Sequence, residues 1–516
     1  MIQDASRLTQ DLTLEGDVAI VGTGAGGGMA AEVLSQAGLR VVLIEEGALR
    51  SARDFHMLER EAYPDLYQES AARKTADKGI TILQGRTVGG STTVNWATSL
   101  RTPAQTLAYW RERFGLRDYT EAQLAPWFER VESRLHMAPW SEPPNENNAI
   151  LRRGAAALGI QTSVIPRNVK GCQNLGYCGM GCPTNAKQSM LVTTIPQALR
   201  RGAVLVSRAR AERLIFRNGR AHELIVRALL PDGITPGPHN VTVRARHFVL
   251  SAGAIGTPAL LLRSGAADPY RSIGRRTFLH PTAVSTAIFR DPVRADSGAP
   301  QSVYSDHFVD GVPFNGPIGY KLEVPPMHPV LMATALVGFG AEHAAFMARA
   351  SHAQAVIALM RDGFHEQSAG GTVRLKSDGT PLLDYPISSY VWEGLRRSLV
   401  TMAQIQFAAG ALSVLPLHES ARPFTTFAEA RAAIAALPME IVRMRVMSAH
   451  VMGGCSMGED EKTSVTDGRG GLRNVENVSV FDGSVFPTSL AANPQLSIYA
   501  MTARNAVALA SRLRAS

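Results

Sequence analysis

Residues 17–47 constrain the fold of this chain more than any other stretch. An apolar run at 18–21 stands between charge and glycine, which predicts a buried parallel strand. Glycines follow in the spacing GxGxxG, at Gly22, Gly24 and Gly27. Gly22 permits a tight turn, Gly24 lets the backbone approach a pyrophosphate, and Gly27 lets a helix pack on the strand. The stretch therefore predicts a dinucleotide-binding strand–turn–helix unit.

The residues after the glycines complete this unit. A helical pattern at 27–37 stops at Gly38, and a second apolar run at 41–44 ends in Glu45, 23 residues after Gly22. The helix N-terminus would offer free N–H groups and partial positive charge to the phosphates. Glu45 would accept hydrogen bonds from a ribose. Strand, helix and acid together favour a dinucleotide site over a purely structural turn.

The size and charge of the chain indicate an ordinary folded protein. With 516 residues it can bury a large core, and two domains are expected. Hydrophobic residues make up 45% and charged residues 19%, as in soluble globular proteins. The net charge is +9, but lysine and arginine are scattered without a basic block. Nucleic-acid binding is therefore not expected.

Neither a targeting signal nor a membrane span is predicted from the sequence. Residues 1–16 have no cationic start followed by an apolar core, so they do not predict a secretory signal. The most apolar candidate for a membrane span, residues 329–341, is too short and ends at Glu342. Four cysteines do not make a disulfide framework. We expect no membrane span and a cytoplasmic location.

Two further segments have small-residue turns that suit close approach of the backbone to a ligand. Residues 85–103 contain a Gly-Gly pair followed by small hydroxyl residues. Residues 247–265 predict a strand, a small-residue turn and a helix. Between these segments, Asn218-Gly219 separates two β-type runs and predicts a hairpin.

The composition changes over residues 281–437. Proline, methionine and histidine are frequent there, and the glycine-rich turns vanish. Strands are predicted at 372–375 and 381–385, and an amphipathic helix at 391–407. These elements predict a second domain built on an antiparallel sheet.

Four blocks of the chain resemble one family, the glucose–methanol–choline (GMC) flavin oxidoreductases. They are GTGAGG with Glu45, GRTVGGSTTVN, LSAGAIGTPALLLRSG, and SAHVMGGCSMG with FDGSVFPTSLAANPQLSI. Their order and spacing cover nearly the whole chain, so the resemblance is specific. It implies FAD as the cofactor and an α/β fold that is split in sequence.

The resemblance implies a Rossmann-like FAD-binding domain with an inserted α+β substrate-binding domain on an antiparallel sheet. The FAD-binding domain would be discontinuous, formed by residues 1–280 and 438–516, and the substrate-binding domain would take residues 281–437. The implied activity is oxidation of the CH–OH group of an alcohol to an aldehyde or ketone. A histidine would assist proton removal, and hydride would pass to the flavin N5.

The family's FAD contacts carry over onto the motifs of this chain. The implied cofactor-binding residues are Gly22, Gly24, Gly27, Glu45, Gly89, Gly90, Asn95, Ala211, Asp482 and Pro494. Ala211 would meet the adenine through its backbone. Some members tether FAD through a histidine in the second block, and the position that lines up with it is Val94. FAD is therefore expected to be bound non-covalently.

Two residues match the family's catalytic positions. His450, in HVMGGCSMG, matches the catalytic histidine, and imidazole is a natural base because its ordinary pKa lies near neutrality. Asn493 matches the second position, where an amide can stabilise the developing alkoxide. Asn493-Pro494 also predicts a helix at 494–513 with Asn493 as its N-cap. The family aims this helix N-terminus at the flavin, where its partial positive charge would favour the reduced form.

Cys172, Cys178 and Cys182 form the spacing C-x5-C-x3-C in a glycine-rich segment. Fatty-alcohol-oxidising members of the family carry a similar segment, so we expect loop thiols and no metal site. Two alternatives stay open, a disulfide and a [3Fe–4S] cluster held by the three thiolates, as in some bacterial FAD-dependent sugar dehydrogenases. No histidine pair has zinc-ligand spacing.

Hydrophobic or long-chain alcohols are the expected substrates. The cysteine segment favours them, and so do the methionines of residues 281–437, which adapt to flexible apolar ligands. Oxygen, a quinone or an electron-transfer protein would reoxidise the flavin. The alternatives are an FAD/Fe–S sugar or polyol dehydrogenase that passes electrons to a cytochrome, a non-redox lyase or decarboxylase, and a non-catalytic flavin-binding protein. The His450–Asn493 pair argues against the last.

Overall fold

The computed structural model describes residues 1–515. The helices are α1 (Ala25–Gln36), α2 (Glu59–Leu66), α3 (Ser91–Val94), α4 (Ala104–Phe114), α5 (Glu121–Arg134), α6 (Glu146–Ala157), α7 (Thr194–Arg200), α8 (Gly253–Arg263), α9 (Pro329–Ala335), α10 (Gly340–Met347), α11 (Ser389–Ala408), α12 (Phe427–Ala436) and α13 (Gln495–Ala515). The strands are β1 (Ile2–Asp4), β2 (Leu12–Val21), β3 (Val41–Ile44), β4 (Ile80–Ile82), β5 (Met137–Pro139), β6 (Ser163–Val164), β7 (Pro166–Asn168), β8 (Val204–Ser207), β9 (Ala209–Arg217), β10 (Arg220–Leu229), β11 (Pro236–Leu250), β12 (Arg275–Leu279), β13 (Thr282–Ile288), β14 (Val303–Ser305), β15 (Tyr320–Glu323), β16 (Ala353–Met360), β17 (Gly371–Leu375), β18 (Pro381–Asp384), β19 (Ser413–Pro416), β20 (Val446–Ser448), β21 (Val451–Gly453) and β22 (Val478–Val480).

The first large sheet has the strand order β1-β8-β3-β2-β11-β10-β9, and β22 pairs with β11. The pairs β8–β3, β3–β2 and β2–β11 are parallel, whereas the hairpin β9–β10 is antiparallel. The inner strands are buried apolar runs, as expected for a parallel sheet with both faces covered. Helix α1 packs against α7 and α13. The predicted Rossmann-like sheet is confirmed.

The first elements form close to where the sequence predicts them. Strand β3 has the predicted bounds, α1 begins two residues before the predicted start, and β2 extends back to Leu12. At the predicted hairpin, Asn218 and Gly219 have φ values of +49° and +72°. Positive φ at both central residues is what a tight two-residue hairpin requires, which explains Asn-Gly at this position.

The second large sheet has the order β4-β20-β13-β16-β15-β14-β6, and β19 pairs with β13. It is antiparallel except for the pair β4–β20. Helix α11 packs against β13, β16 and β19, so one face of the sheet is closed by this helix. The predicted antiparallel sheet and the predicted helix at 391–407 are therefore both present.

The strands predicted at 372–375 and 381–385 form as β17 and β18. They pair with β12 and β21 in a four-stranded sheet that is separate from the second large sheet. In turn, β4, β6 and β20 join the second large sheet from outside residues 281–437. The division of the chain at 280 and 437 therefore stays a prediction.

The apolar residues at 329–341 fold as α9 and the start of α10. Among residues 1–515, no helix has both the length and the apolar character needed to cross a membrane.

Candidate active site

A cavity of about 830 Å³ is lined by residues from both large sheets. Its volume lies in the range of small-molecule and cofactor sites. The predicted site residues that line it are Gly22, Gly24, Glu45, Gly90, Asn95, Ala211, His450, Asp482, Asn493 and Pro494. Gly27 and Gly89 lie behind this lining. The fold thus brings together residues that are more than 450 positions apart in the sequence.

In the glycine-rich turn after β2, the protein's own atoms require glycine at two of the three predicted positions, Gly22 and Gly27. Gly22 has φ +91°, and a Cβ there would lie 2.3 Å from the Ser251 carbonyl oxygen. A Cβ on Gly27 would lie 1.9 Å from the Gly22 oxygen, so the close approach of α1 to β2 requires glycine. At Gly24 the nearest atom to a Cβ is the Gly90 Cα at 3.8 Å, and the position faces the cavity.

The N-terminus of α1 fits the phosphates of a dinucleotide. Gly24 at the N-cap brings no side chain, and the first turn holds no acidic residue. The first N–H groups of a helix have no partner within the helix and carry partial positive charge. Gly24, Ala25 and Gly26 line the cavity, so these groups are presented to an anion bound there.

Glu45 follows β3 and is buried at the edge of the cavity. Its Oε2 accepts hydrogen bonds from Thr23 N at 3.0 Å and Thr23 Oγ1 at 2.6 Å, and its Oε1 accepts from Gly47 N at 2.9 Å. Burial raises the pKa of Glu45. Oε1 accepts only one of these bonds and can accept another, so the predicted ribose contact is compatible with this geometry and stays a prediction.

Asp482 and Asn95, two other predicted cofactor-binding residues, are each held in place by hydrogen bonds. The Oδ2 atom of Asp482 accepts from Gly253 N at 2.9 Å and Thr257 Oγ1 at 2.6 Å, at the start of α8. The Nδ2 atom of Asn95 donates to Gln495 Oε1 at 2.7 Å. This bond connects the second glycine-rich segment to the start of α13. Gln495 was not predicted.

The prediction that Asn493 caps the last helix is wrong. Helix α13 begins at Gln495, and the Pro494 carbonyl accepts the Ile498 N–H at 3.0 Å. Asn493 therefore lies before the cap, and its Oδ1 accepts from Lys321 Nζ at 3.3 Å instead of from the first helical turn. Pro494 and Gln495 line the cavity, so the positive end of α13 faces the cavity as predicted.

His450 lies between Asn493 and a second histidine. Its Nε2 is 3.4 Å from Asn493 Nδ2, and its Nδ1 is 2.9 Å from His280 Nδ1. The Asn493 amide nitrogen can only donate, so His450 Nε2 is unprotonated. His450 Nδ1–H then donates to His280 Nδ1, and the His280 proton is on Nε2, a buried atom with no partner among the described residues. In this hydrogen-bond network the lone pair of His450 is on Nε2, the nitrogen that faces Asn493.

The environment of His450 keeps its imidazole neutral. Burial, together with the positive charge of Lys321, lowers the pKa of His450 to about 3. Burial and the neighbouring His450 likewise hold the pKa of His280 well below its ordinary value. Near neutral pH both rings are therefore uncharged, and His450 Nε2 keeps its lone pair.

A set of buried polar side chains that the sequence did not predict surrounds the Asn493 amide. Glu323 Oε2 accepts from Asn493 Nδ2 at 3.3 Å and from Gln301 Nε2 at 2.6 Å, and Gln301 Oε1 accepts from Thr98 Oγ1 at 2.6 Å. Lys321 Nζ lies 3.7 Å from Glu323 Oε1. A signal exists in the sequence, because charges at 321 and 323 in a strand must share one face.

An apolar channel leads away from His450 along one face of the second large sheet. Alternate residues of β13 and β16 form this wall in register, with Val284 opposite Ile357 and Thr286 opposite Ala355. From Thr282, at the His450 end, to Thr286 the wall extends roughly 13 Å. Residues of α9 and the loops around it cover the channel: Pro325, Pro326, Met327, Leu331, Met332, Ala335 and Leu336. Apart from the hydroxyl groups of Thr282 and Thr286, these walls are apolar over this length.

A lysine links the cysteine segment to the second glycine-rich segment. Buried Lys187 donates through Nζ to the carbonyl oxygens of Thr93, Asn95 and Cys178, at 2.6, 2.8 and 2.8 Å. Burial lowers the pKa of Lys187 to about 8. This segment therefore helps to position Asn95, whose carbonyl accepts one of the three bonds.

The four cysteines are free thiols, so the disulfide alternative is wrong for this structure. Within residues 1–515, no group of three or more histidine, cysteine, aspartate or glutamate side chains is placed to hold a metal ion. The expectation of loop thiols without iron stays a prediction.

The sequence matches the GMC oxidoreductase family over residues 63–282 and 367–502. A GMC-type oxidoreductase of Mycobacterium tuberculosis, uncharacterised by name, is 34% identical to this chain, with 96% of this chain and 78% of the relative covered. One from Sinorhizobium fredii is 31% identical, covering 97% and 96%. A long-chain-alcohol oxidase of Arabidopsis thaliana is 28% identical, covering 96% and 68%.

Solved structures of similar fold span nearly the whole chain. A pyridoxine 4-oxidase from Mesorbium loti has a TM-score of 0.71 at 19% identity, covering 95% of this chain and 98% of that chain. A formate oxidase variant of Aspergillus oryzae has a TM-score of 0.70 at 16% identity, covering 98% and 100%. At these identities the likeness concerns the fold, and it confirms the predicted fold class.

Proposed function

The chain belongs to the GMC oxidoreductase family, and we propose that it uses non-covalently bound FAD to oxidise hydrophobic, long-chain alcohols to the aldehyde or ketone. The observation that carries this proposal is the apolar channel between the second large sheet and α9, which ends at His450 and Asn493. A cavity with long apolar walls and a few polar groups at one end suits a ligand with one hydroxyl on a hydrocarbon chain.

The residues at the end of the channel have complementary roles. His450 Nε2 takes the hydroxyl proton, because its lone pair is free and its ring is neutral. Asn493 Nδ2 donates to the alcohol oxygen and stabilises the negative charge that grows there. The hydrogen bond between these two nitrogens is long, at 3.4 Å, so a substrate hydroxyl can replace it and contact both. FAD, when bound, accepts the hydrogen and electron pair from the carbinol carbon.

The cavity offers a place for each part of the cofactor. The turn at Gly22 and Gly24, with the N-terminus of α1, would hold the pyrophosphate. Glu45 would bind the ribose, and the backbone of Ala211 would meet the adenine. Asn95, Asp482 and the positive end of α13 would lie toward the flavin.

We predict that the bound FAD is released by acid precipitation. A covalent link through the second block needs a histidine where this chain has Val94, and among the described residues that line the cavity His450 is the only histidine. Precipitated protein should be colourless, with the yellow flavin in the supernatant. Flavin that remains with the pellet would show a covalent link and contradict this expectation.

Narrowing the channel should change chain-length preference. Ala355→Phe would fill the channel opposite Thr286, and overpacking of this kind costs about 1–3 kcal/mol. The flavin-reduction rate constant with 1-dodecanol should therefore fall by about 10- to 100-fold, while that with 1-butanol stays within about threefold. Anaerobic stopped-flow absorbance measures both.

Ala355→Ser is the matched control, because it leaves the channel open, and thermal melting reports whether each variant is folded. If Ala355→Phe slows both alcohols equally, or neither, the channel does not hold the hydrocarbon chain.

A further inference from the structure

Lys321, on β15, has a buried ammonium group on the far side of Asn493 from the cavity. Its side chain is 3% exposed, and it is absent from the described residues that line the cavity. Its Nζ lies 3.3 Å from Asn493 Oδ1, 3.7 Å from Glu323 Oε1 and 3.8 Å from Asp306 Oδ1. The Tyr304 ring is 5.0 Å below it. Lys321 therefore touches the catalytic amide without reaching the substrate.

The chemistry of these neighbours allows one orientation of the Asn493 amide. An ammonium group only donates, so the atom facing Lys321 must be the amide oxygen. Glu323 Oε2 accepts from Gln301 as well as from Asn493, and it remains an acceptor even if the carboxyl group holds a proton on Oε1. Both partners thus turn Asn493 Nδ2 away from Lys321 and toward Glu323 and His450.

The orientation of the amide decides which nitrogen of His450 carries the proton. With Nδ2 facing it, His450 Nε2 must accept, and Nδ1–H donates to His280. If the amide turned over, Oδ1 would face His450 and favour a proton on Nε2. His450 would then present a donor, and no longer a base, to the substrate hydroxyl.

We infer that Lys321 and Glu323 are positioning residues, which fix the Asn493 amide and through it hold His450 in the tautomer that can act as a base. Hydrogen bonds then run in one direction, from Lys321 through Asn493 and His450 to His280. This inference rests on the proposed catalytic roles of Asn493 and His450, but not on the chain length of the substrate.

The test compares Glu323→Gln and the double variant Lys321→Met/Glu323→Gln with the wild-type holoenzyme. The double variant removes both charges of the Lys321–Glu323 pair together, and Asp306, which also loses its Lys321 contact, is 29% exposed and can be solvated by water. Flavin reduction is followed anaerobically with the alcohol that reduces the wild type fastest. The double variant should lower the limiting rate constant by about 10- to 100-fold and change the apparent Kd by less than about threefold, since binding contacts are kept.

A double-mutant cycle with Asn493→Ala distinguishes a positioning effect from a general loss of active-site structure. In that background the same two substitutions should change the limiting rate constant by less than about threefold, because there is no amide left to orient. Tyr304→Phe keeps the ring below Lys321 and serves as the control that should match the wild type. An undiminished loss in the Asn493→Ala background, or a loss confined to Kd, would overturn the inference.

The tautomer of His450 can also be measured in the apo-protein, without cofactor or substrate. Nitrogen-15 NMR of labelled histidine should show unprotonated Nε2 in the wild type, and a population with protonated Nε2 in Lys321→Met/Glu323→Gln. The signals are assigned with His450→Gln. Identical His450 signals in wild type and double variant would overturn the inference even if activity falls. If the double variant fails to fold, Glu323→Gln, which keeps Lys321, is measured in the same way and should show a smaller shift in the same direction.

Discussion

His450→Ala is expected to retain FAD and to lower the rate constant of flavin reduction by about two to four orders of magnitude, which is the usual contribution of a positioned acid–base group. The reason is that His450 Nε2 is the unprotonated nitrogen beside Asn493, at the end of the channel. Anaerobic stopped-flow absorbance at saturating alcohol measures the rate constant. A value within about threefold of the wild type would remove His450 from the catalytic role.

His247→Gln is the matched control for this experiment. His247 is also a buried histidine, and burial lowers its pKa to about 3, as for His450. However, it hydrogen-bonds Ser479 in the first large sheet and does not line the cavity. The control variant should therefore reduce its flavin at the wild-type rate, which shows that losing a buried neutral histidine is not enough to cause the effect.

Asn493→Asp is expected to lower the reduction rate constant by about 100- to 1000-fold, which is the effect of losing one donor to a developing oxyanion. An aspartate oxygen would replace the donor Nδ2 and would face both Glu323 Oε2 and the alkoxide. Asn493→His should retain more activity than Asn493→Asp, because an imidazole N–H can donate. If Asn493→Asp reduces its flavin as fast as the wild type, the amide has no role in catalysis.

The same substitution should also destabilise the protein, contrary to what a helix cap would predict. The new carboxyl group would lie beside Glu323, whose own pKa is raised by burial. Burial and the like charge of Glu323 raise the pKa of the new group above its unfolded value. Lys321, 3.3 Å from this side chain, opposes the rise but already faces Glu323 and Asp306, so the folded chain still binds the extra proton and stability falls as pH rises. Thermal melting should show a larger drop in Tm relative to wild type at pH 8 than at pH 6. An unchanged Tm at both values would contradict this account of the Asn493 environment.

The sequence was informative where structure is set by neighbouring residues. The turn at Gly22, Gly24 and Gly27 was predictable because the GxGxxG spacing lies between an apolar strand and a helix, and the close packing of Gly27 on Gly22 falls within that unit. The hairpin at Asn218-Gly219 was predictable because its two positive φ angles suit those residues. His450 and Asn493 were located by resemblance to the family, and the fold places them 3.4 Å apart.

The rest of the site depends on contacts between distant parts of the chain. His280 meets His450 across 170 positions, and Lys321 meets Asn493 across 172. No local pattern predicts such pairs. The N-cap prediction for Asn493 failed for the same reason, because Lys321 and Glu323 direct the side chain away from the helix that the local sequence favoured. Similarly, β17 and β18 were predicted as strands, but their partners β12 and β21 could not be read from their own residues.

If this chain oxidises long-chain alcohols with a bound flavin, such an alcohol should reduce the flavin of the purified protein directly. Purified wild-type holoenzyme is mixed anaerobically with 1-dodecanol, 1-butanol, glucose or a sterol, and bleaching of the flavin absorbance is recorded. The account predicts full bleaching with 1-dodecanol, at a higher apparent second-order rate constant than with 1-butanol, and far slower bleaching with glucose or the sterol. Bleaching by glucose or the sterol in preference to 1-dodecanol, or no bleaching by any alcohol, would contradict it.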